Sequence, residues 1–257
     1  MKVEKIGEGE PEYTVVGSLH GDEPCGKKAI EKFLSGDWEL KKPVQFIIAN
    51  EEALEQEVRY LDTDLNRSFP GDPESDSHEE RLAARLLELV KGTKLIDFHS
   101  TRSQDEPFAT TSIMTEEVLE LARSSGVRDV AYFGAESGVL NERVPAVTVE
   151  AGRQGTEQAA ENAYGILVNF LAAEGVIDAD YERSDIELYI YYDTVEGGDL
   201  EFVAENFTLV EEGEVYARKD GEEIRADEYF FPILMSTHGY EDILGYKAQK
   251  IDKDVYM

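Results

Sequence analysis

The sequence is poor in cysteine, in long apolar runs and in positive charge. Its one cysteine, Cys25, excludes an intrachain disulfide and any thiolate-rich metal site. No apolar run approaches the roughly 18 residues that a membrane-spanning helix needs, so no transmembrane segment is expected. The opening segment, residues 1–16, lacks the apolar stretch of a secretory signal, so we expect no signal peptide and predict a cytoplasmic location.

Basic residues are scarce. The chain has 25 lysines and arginines but 56 aspartates and glutamates, which gives a formal net charge of −31. Such a surface repels the phosphates of nucleic acids and of anionic lipids, so neither a nucleic acid nor a membrane is an expected partner. Repulsion among the acids is screened in concentrated salt, where the Debye length falls to about 3 Å at 1 M. We therefore predict a halophilic source with a saline cytoplasm; the alternative is an ordinary acidic protein.

Strand and helix patterns alternate over the first two thirds of the chain. Residues 13–20 are predicted to be a strand that runs into a loop, and further strands are predicted at 44–49, 94–98, 113–114 and 144–149. The predicted helices cover 24–34, 116–124 and 156–173, with a further one that begins near Ser77, where Ser77 and Glu80 form a capping-box pair. This alternation predicts an α/β fold with a mainly parallel or mixed sheet flanked by helices.

The pattern changes after about Gly175. From Ile186 onward the apolar segments are short and strand-like, and turn dipeptides such as Gly197-Gly198 separate them. We predict a catalytic domain at 1–175 and a small β-rich domain at 183–257.

Polar residues close three of the predicted strands, and ligand sites in open α/β sheets form at the carboxyl ends of strands. His20 and Glu23 follow the first strand, His99 follows residues 94–98, and Glu150 follows residues 144–149. Two histidines and one carboxylate make a three-ligand set for one zinc ion with a position left open for water. Zinc with a nearby carboxylate that is not a ligand is the apparatus of metal-assisted amide hydrolysis.

A lone His-x-x-Glu pair is more often structural than metal-binding, but four segments here form a joint pattern. They are Gly17-Ser-Leu-His-Gly-Asp-Glu23, Arg59-Tyr-Leu-Asp-Thr-Asp-Leu-Asn-Arg67, Leu95-Ile-Asp-Phe-His99 and Val147-Thr-Val-Glu-Ala-Gly152. In order and spacing they resemble the aspartoacylase/succinylglutamate desuccinylase family, within the zinc carboxypeptidase-like superfamily. The resemblance spans nearly the whole chain and implies that His20, Glu23 and His99 bind the zinc ion.

The resemblance also implies roles for other residues. It makes Glu150 the general acid/base and Arg59 the arginine that polarises the scissile carbonyl. It makes Asn66 and Arg67 the pair that holds a substrate carboxylate, which suits the planar fork of a guanidinium. A looser likeness near the C-terminus places a substrate-contacting tyrosine at Tyr240.

One position departs from the family pattern. Aspartoacylases resemble one another in a further arginine about ten residues before the general base, and that position is Leu140 here. Arg143 and Arg153 lie nearby, and either can substitute. The preference among dicarboxylates therefore stays open.

Several nearby residues receive structural interpretations. His78 lacks the second histidine that a helical zinc-protease motif needs four residues later, so we interpret it as a surface residue in the first turn of a helix. Cys25 is interpreted as a small buried residue. Either Asp62 or Asp64 is expected to orient an arginine from outside the ligand set.

Three functions fit these patterns. The leading hypothesis is a zinc-dependent amidohydrolase that deacylates a small anionic N-acyl amino acid. A metallocarboxypeptidase that releases the C-terminal residue of a peptide uses the same residue types. A catalytically inactive binding protein on the same fold is the third hypothesis. No pattern indicates an oligomeric state.

Overall fold

The computed structural model describes residues 1–135 and 138–252. Within these ranges, ten strands form one mixed sheet and three more form a small antiparallel sheet. Among the helices of the same residues, none combines the length and the apolar composition that crossing a membrane requires.

The large sheet holds strands from both ends of the chain. The strands are β1 (Lys2–Ile6), β2 (Tyr13–Gly17), β3 (Val44–Ile48), β4 (Lys94–Thr101), β5 (Phe108–Thr111), β6 (Asp129–Tyr132), β7 (Ala146–Arg153), β8 (Glu187–Glu196), β9 (Glu201–Phe202), β10 (Val215–Lys219), β11 (Glu222–Arg225), β12 (Phe231–Ile233) and β13 (Ile243–Ile251). The helices are α1 (Cys25–Leu34), α2 (Glu51–Glu55), α3 (His78–Val90), α4 (Glu116–Ser125) and α5 (Glu157–Ala173). The order across the large sheet is β1-β3-β2-β4-β7-β5-β6-β8-β13-β12.

The strands β3, β2, β4 and β7 are parallel neighbours at the centre of this sheet. Helices cover both faces, which is why these strands are apolar without interruption. On β2, Val15 packs in the cluster that holds Phe33 of α1, and Val16 packs in the cluster that holds Leu86 of α3. Fully burying a side chain of this size contributes about 1.5–3 kcal/mol. The predicted α/β architecture with flanking helices is confirmed.

The small sheet has the order β11-β10-β9 and lies in the β-rich C-terminal part of the chain, as predicted. Strands β8, β12 and β13 of the same part join the large sheet instead. The division into domains at 1–175 and 183–257 stays a prediction.

One predicted strand is wrong in position. Ile113 and Met114 follow β5 instead of forming a strand. The Thr111 hydroxyl donates to the carbonyl of Ile113 at 2.9 Å and accepts from its N–H at 3.2 Å. These local bonds compete with a strand ladder and end β5 at Thr111.

Candidate active site

Four polar side chains meet at one edge of the large sheet. Because β2, β4 and β7 run parallel as neighbours, their carboxyl ends share that edge. His99 on β4 pairs in register with Glu150 on β7. His20 and Glu23 lie on the loop between β2 and α1, and all four residues line one cavity. The structure therefore assembles the predicted constellation, while the role of each residue stays a prediction.

The loop that carries His20 and Glu23 is pressed against α2. A Cβ atom at Gly21 would lie 2.2 Å from the carbonyl carbon of Ala53, so no larger residue fits without moving the loop. The Gly21 N–H donates to the carbonyl of Arg59 at 3.1 Å. Glycine at this position thus fixes the loop on which both residues stand.

The cluster of His20, Glu23 and His99 is almost completely buried, with 3 %, 4 % and 4 % of each residue exposed. The Nδ1 atom of His20 lies 2.9 Å from Oε1 of Glu23, and the Nδ1 atom of His99 lies 3.1 Å from Oε2 of Glu23. One ligand atom from each residue lies within 4.8 Å of the other two. Both imidazoles therefore direct the same kind of nitrogen towards a common point.

Acidic side chains hold the opposite nitrogen of each imidazole. Nε2 of His20 lies 2.9 Å from Oδ1 of Asp64, and Nε2 of His99 lies 2.9 Å from Oδ2 of Asp97. A carboxylate at Nε2 keeps the proton on that nitrogen, so the lone pair of Nδ1 is available to a metal. Asp97 stands two residues before His99 on the same strand and therefore on the same face. This Asp-x-His spacing was a signal for Asp97 that the sequence analysis did not use.

The three buried groups shift one another's pKa values. Burial by itself lowers the pKa of a histidine, but Glu23 and the outer acids outweigh it, and the pKa is raised for His20 and raised well above its usual value for His99. Burial by itself raises the pKa of Glu23, but the two histidines hold it well below its usual value. A cluster that stabilises positive charge this strongly offers the same field to a divalent cation.

Two imidazole nitrogens and one carboxylate oxygen on buried side chains are a donor set typical of a zinc site with an open position. The carboxylate of Glu23 is itself oriented, since the Ser100 N–H donates to its Oε2 at 2.9 Å. The triad His20, Glu23 and His99 is consistent with a single metal ion.

Glu150 stands beside this triad without belonging to it. Its Oε2 atom is buried and has no hydrogen-bond partner in the part of the chain that the structure describes. Burial raises the pKa of Glu150 to about 7; positive charge on His99 opposes the shift and the charge of Glu23 adds to it. A buried oxygen without a partner at such a place is suited to hold a proton in exchange with a bound molecule.

Arg59 borders the triad on its other side. Its Nη1 donates to Oε1 of Glu23 at 3.1 Å, while Nε and Nη2 donate to Oδ2 of Asp64 at 3.1 and 3.0 Å. Asp64 thus orients both an arginine and, through its other oxygen, His20. This confirms the expectation that Asp62 or Asp64 orients an arginine. Asp62 instead accepts the N–H of His78 at 2.7 Å, at the start of α3.

Asn66 and Arg67 line the same cavity, on the short turn that follows Asp64. Oδ1 of Asn66 accepts the N–H of Leu140 at 3.0 Å, so the amide NH₂ is the end left for a ligand. Gly138 lies against this turn, since a Cβ atom there would be 2.2 Å from the carbonyl oxygen of Arg67. The segment that contains Leu140 therefore supports the two residues instead of supplying a charge.

Glu79 anchors the loop that carries Arg59 and Asn66, although its residue type suggested no such role. It is fully buried, and its carboxylate accepts the N–H groups of Leu61, Asp62 and Thr63 at 2.7, 3.0 and 3.2 Å. The amide of Asn50 donates to it at 3.1 Å. Burial alone would raise the pKa of Glu79, but these donors outweigh it and lower the pKa.

Glu79→Gln is expected to lower the free energy of unfolding by about 2–3 kcal/mol, because a glutamine NH₂ would face backbone N–H groups and leave buried donors unsatisfied. Denaturant unfolding monitored by circular dichroism measures the change. Glu88→Gln, which removes the same charge at an exposed position later on the same helix, is the control and should stay within about 0.5 kcal/mol of the wild type. Equal stabilities for the two variants would contradict an anchoring role for Glu79.

The cavity has a volume of about 420 Å³. The C-terminal part of the chain contributes to its wall through Leu234, Gly239, Tyr240 and Tyr246. Burial raises the pKa of Tyr240 and the charge of Glu150 adds to the shift, so the phenol stays neutral and can donate a hydrogen bond. Tyr240 therefore reaches the cleft from the part of the chain where the sequence analysis placed it.

The two proposed replacements for the arginine missing at Leu140 do not line the cavity. Leu140 itself is buried in the apolar core. Nη2 of Arg143 approaches the carbonyl of Phe69 at 3.5 Å. Arg153 forms an ion pair with Asp105 at 2.7 Å. The structure thus gives neither arginine a place at the cleft.

Sequence reasoning missed several polar residues of the cavity wall. Arg102 follows His99 by three residues, and Gln154 follows Glu150 by four, so each continues past a strand end already singled out. Their closeness in sequence to these strand ends was the signal that could have placed them in the cavity wall. The other missed polar residues of the wall are Asp22, Ser100, Thr101, Thr110, Thr111, Ser112, Asn141 and Thr148.

Two structural interpretations can be compared directly with the structure. Cys25 is buried and its thiol donates to the carbonyl of His99 at 3.2 Å, as expected for a small buried residue. His78 is the first residue of α3. Its side chain is 19 % exposed and lies close to the side chains of Asn50 and Glu52. It lies in the first turn of the helix as predicted, but more shielded than a surface residue.

Comparison with known sequences gives two informative relatives. Over 107 residues, 36 % of this chain, the sequence is 35 % identical to an N-acyl-aromatic-L-amino acid amidohydrolase (carboxylate-forming) from Xenopus laevis, and the match spans 35 % of that protein. Over 86 % of this chain and 77 % of the relative, it is 25 % identical to a succinylglutamate desuccinylase from Shewanella amazonensis. The chain thus matches about a third of the length of the frog protein and most of the bacterial one.

The fold is shared with solved structures. A succinylglutamate desuccinylase/aspartoacylase from Rhodobacter sphaeroides superposes with a TM-score of 0.80, covering 98 % of this chain and 89 % of that one at 17 % identity. Residues 10–170, well over half of the chain, match the succinylglutamate desuccinylase/aspartoacylase catalytic domain. The chain therefore belongs to the succinylglutamate desuccinylase/aspartoacylase family.

Proposed function

We propose that this protein is a zinc-dependent amidohydrolase that removes the acyl group from a small anionic N-acyl amino acid. The observation that carries the proposal is the buried triad of His20, Glu23 and His99 with Glu150 beside it on the adjacent strand. Family membership supports it, since the relatives above are named for deacylation of N-acyl amino acids.

His20, Glu23 and His99 would hold the ion. Zinc bound there supplies a Lewis acid that polarises a carbonyl and lowers the pKa of a water to roughly 7. Asp64 and Asp97 keep the two imidazoles in the tautomer that can bind it.

Glu150 acts as the general base and then as the general acid. It takes a proton from the attacking water as the new C–O bond forms at the acyl carbon. It then gives that proton to the nitrogen as the C–N bond breaks, which releases a carboxylate and an amine. The unpartnered Oε2 atom of Glu150 supports this shuttle, because no protein group described in the structure competes for it.

Arg59 stabilises the negative charge that develops on the carbonyl oxygen. A guanidinium has five N–H donors, and the contacts to Glu23 and Asp64 engage three of them. Two donors remain for the oxyanion on a side chain that is already held in place. Preorganised donors of this kind are usually a large part of the rate enhancement.

Asn66 and Arg67 bind the carboxylate of the amino acid, and Tyr240 donates a hydrogen bond from the part of the wall that the C-terminal residues form. The NH₂ group of Asn66 supports this assignment, because its Oδ1 is already bound to the N–H of Leu140. The guanidinium of Arg67 supplies the charge.

A small substrate is favoured over a peptide. Residues of the C-terminal part form one wall of the cavity, and about 420 Å³ suits an N-acyl amino acid better than a peptide chain. The proposal is tested against two alternatives, a metallocarboxypeptidase and an inactive binding protein.

The test is metal analysis of the purified protein in high salt, followed by an amine-release assay. The assay compares N-acetyl and N-succinyl amino acids with peptides that carry a free C-terminus. We expect about one zinc per chain and turnover of the N-acyl amino acids alone. Faster release of C-terminal residues from peptides would make the protein a carboxypeptidase, and zinc without any turnover would make it a binding protein.

Arg59→Lys is expected to keep zinc and to lower kcat by about 10²–10³-fold, the usual cost of losing one oxyanion donor. Lysine keeps the charge but cannot reach Glu23, Asp64 and the oxyanion at once. Saturating kinetics with zinc content measured in parallel gives the result. Arg128→Lys, an exposed arginine paired with Glu187, is the control. An effect on KM alone would assign Arg59 to substrate binding instead.

A further inference from the structure

Arg102 lines the cavity from the end of β4 and differs from the other arginines near the cleft. Arg59 is paired with two carboxylates, Arg153 with Asp105, and Arg143 lies 3.7 Å from Glu142. Arg102 has no ion pair with any residue in 1–135 or 138–252. Arg102 is therefore an exposed guanidinium at the cleft with no acidic partner among the described residues.

A single hydrogen bond, made by Nε, orients the side chain of Arg102. Its Nε donates to Oε1 of Gln154 at 3.0 Å. The amide of Gln154 is in turn oriented, because its NH₂ donates to the carbonyl and to the carboxylate of Asp22 at 3.1 and 2.7 Å. The two Nη groups of Arg102 make no hydrogen bond to any of the described residues, and together they form the edge that binds a carboxylate through two parallel hydrogen bonds.

The backbone of Arg102 is fixed separately from its side chain. Its carbonyl accepts the hydroxyl of Ser236 at 2.9 Å and Nη1 of Arg153 at 3.1 Å. The first bond ties the end of β4 to the C-terminal part of the chain, and the second ties it to the end of β7. A substitution that changes only the side chain at position 102 leaves both of them in place.

The remaining wall of the cavity is neutral. The polar lining beyond the metal triad, Glu150, Asp22 and the arginines consists of hydroxyl and amide side chains such as Thr111, Asn141 and Thr148. With Leu140 buried and Arg143 and Arg153 outside the cavity, Arg102 is the cation left for a second anionic group of the substrate.

We propose that Arg102 is the specificity-determining residue of this site and binds a second carboxylate of a dicarboxylic N-acyl amino acid. The inference rests on the proposed deacylase function and names its substrate class. The second carboxylate belongs either to the side chain of the amino acid, as in N-acetylglutamate, or to the acyl group, as in N-succinylalanine.

Two matched substrate pairs test the assignment. N-acetylglutamate is compared with N-acetylglutamine, and N-succinylalanine with N-butyrylalanine, so each pair differs in one negative charge. In the wild type we expect kcat/KM to be about 10–100-fold higher for the charged member of one pair, and that pair identifies which part of the substrate carries the carboxylate. This factor is about 1.4–2.8 kcal/mol, which is what a hydrogen bond between charged groups typically contributes.

Arg102→Ala is expected to remove that preference through KM, with kcat on the neutral member changed less than about threefold. Arg102→Lys should restore part of it, because a lysine keeps the charge without the fork. Arg143→Ala, which removes the same charge outside the cavity, should keep the preference. Equal losses on charged and neutral substrates in Arg102→Ala, or no preference in the wild type, would overturn the assignment.

A binding measurement separates this inference from the proposed function. Calorimetry on zinc-loaded Glu150→Gln compares the affinities for N-acetylglutamate, N-succinylalanine and their neutral partners, with and without Arg102→Ala, and needs no turnover. A charge preference that Arg102→Ala abolishes supports the assignment even if the wild type hydrolyses none of these substrates. A charge preference that survives Arg102→Ala refutes it even if the enzyme is an active deacylase.

Discussion

Glu150→Gln is expected to retain zinc and to lower kcat by about 10²–10⁴-fold, the usual contribution of a general acid/base. Glutamine has nearly the same shape but cannot take a proton from water or pass one to the amine. Because Glu150 is not part of the triad, its loss leaves the donor set intact. Single-turnover kinetics on an N-acyl amino acid, with zinc content measured in the same sample, checks the prediction.

The control for this variant is Glu106→Gln. Glu106 is exposed and stands two residues before Phe108, which pairs with Glu150 across the sheet. The substitution makes the same change in net charge and should leave kcat within about twofold of the wild type. Full activity of Glu150→Gln would remove Glu150 from the mechanism, and loss of zinc from it would make Glu150 a ligand.

His99→Ala is expected to abolish both the metal and turnover. The substitution removes one of three ligands and leaves the buried carboxylate of Asp97 without its partner at 2.9 Å. We expect less than about 0.1 zinc per chain under conditions that load the wild type fully, and a loss of kcat of at least about 10³-fold, since the metal supplies several kcal/mol of stabilisation. Zinc analysis and amine release measure the two effects.

Two comparisons distinguish loss of the metal from loss of the fold. His78→Ala removes a histidine outside the triad and should bind zinc and turn over like the wild type. Wild-type protein stripped with a chelator should match the activity of His99→Ala and recover when zinc is returned. A folded His99→Ala protein with a full complement of zinc would exclude His99 from the ligand set.

The predicted strands came closest to the structure where the sheet is buried on both faces. Segments 44–49, 94–98 and 144–149 are short apolar runs that match β3, β4 and β7, because a central parallel strand packs helices on each side. The edge of the sheet was harder to predict. No pattern indicated β13, which alternates buried and exposed positions irregularly and pairs with β8 through two register shifts.

The site could be predicted to a similar depth. His20 and Glu23 follow β2, and His99 and Glu150 lie towards the carboxyl ends of β4 and β7, so the parallel order of these strands determines that all four share an edge. Glu79 carried no such signal, since it lies in a helix first turn rich in acids, and its partners are the backbone of a distant loop. Every residue except proline has a backbone N–H group, so the residue types at 61–63 do not indicate that these groups bind Glu79.

The sequence by itself determined the family, the kind of sheet and the four side chains at its carboxyl edge. The predicted zinc ion, halophilic source and cytoplasmic location come from the sequence too and stay predictions. Only the tertiary structure decided that Asp64 serves both His20 and Arg59, that Arg143 and Arg153 lie outside the cleft, and that Arg102 lies within it. The physical reason is that the apolar pattern of a strand is set by residues that are neighbours in the sequence, so the sequence shows it directly. The direction of a long side chain depends instead on which distant segment packs beside it.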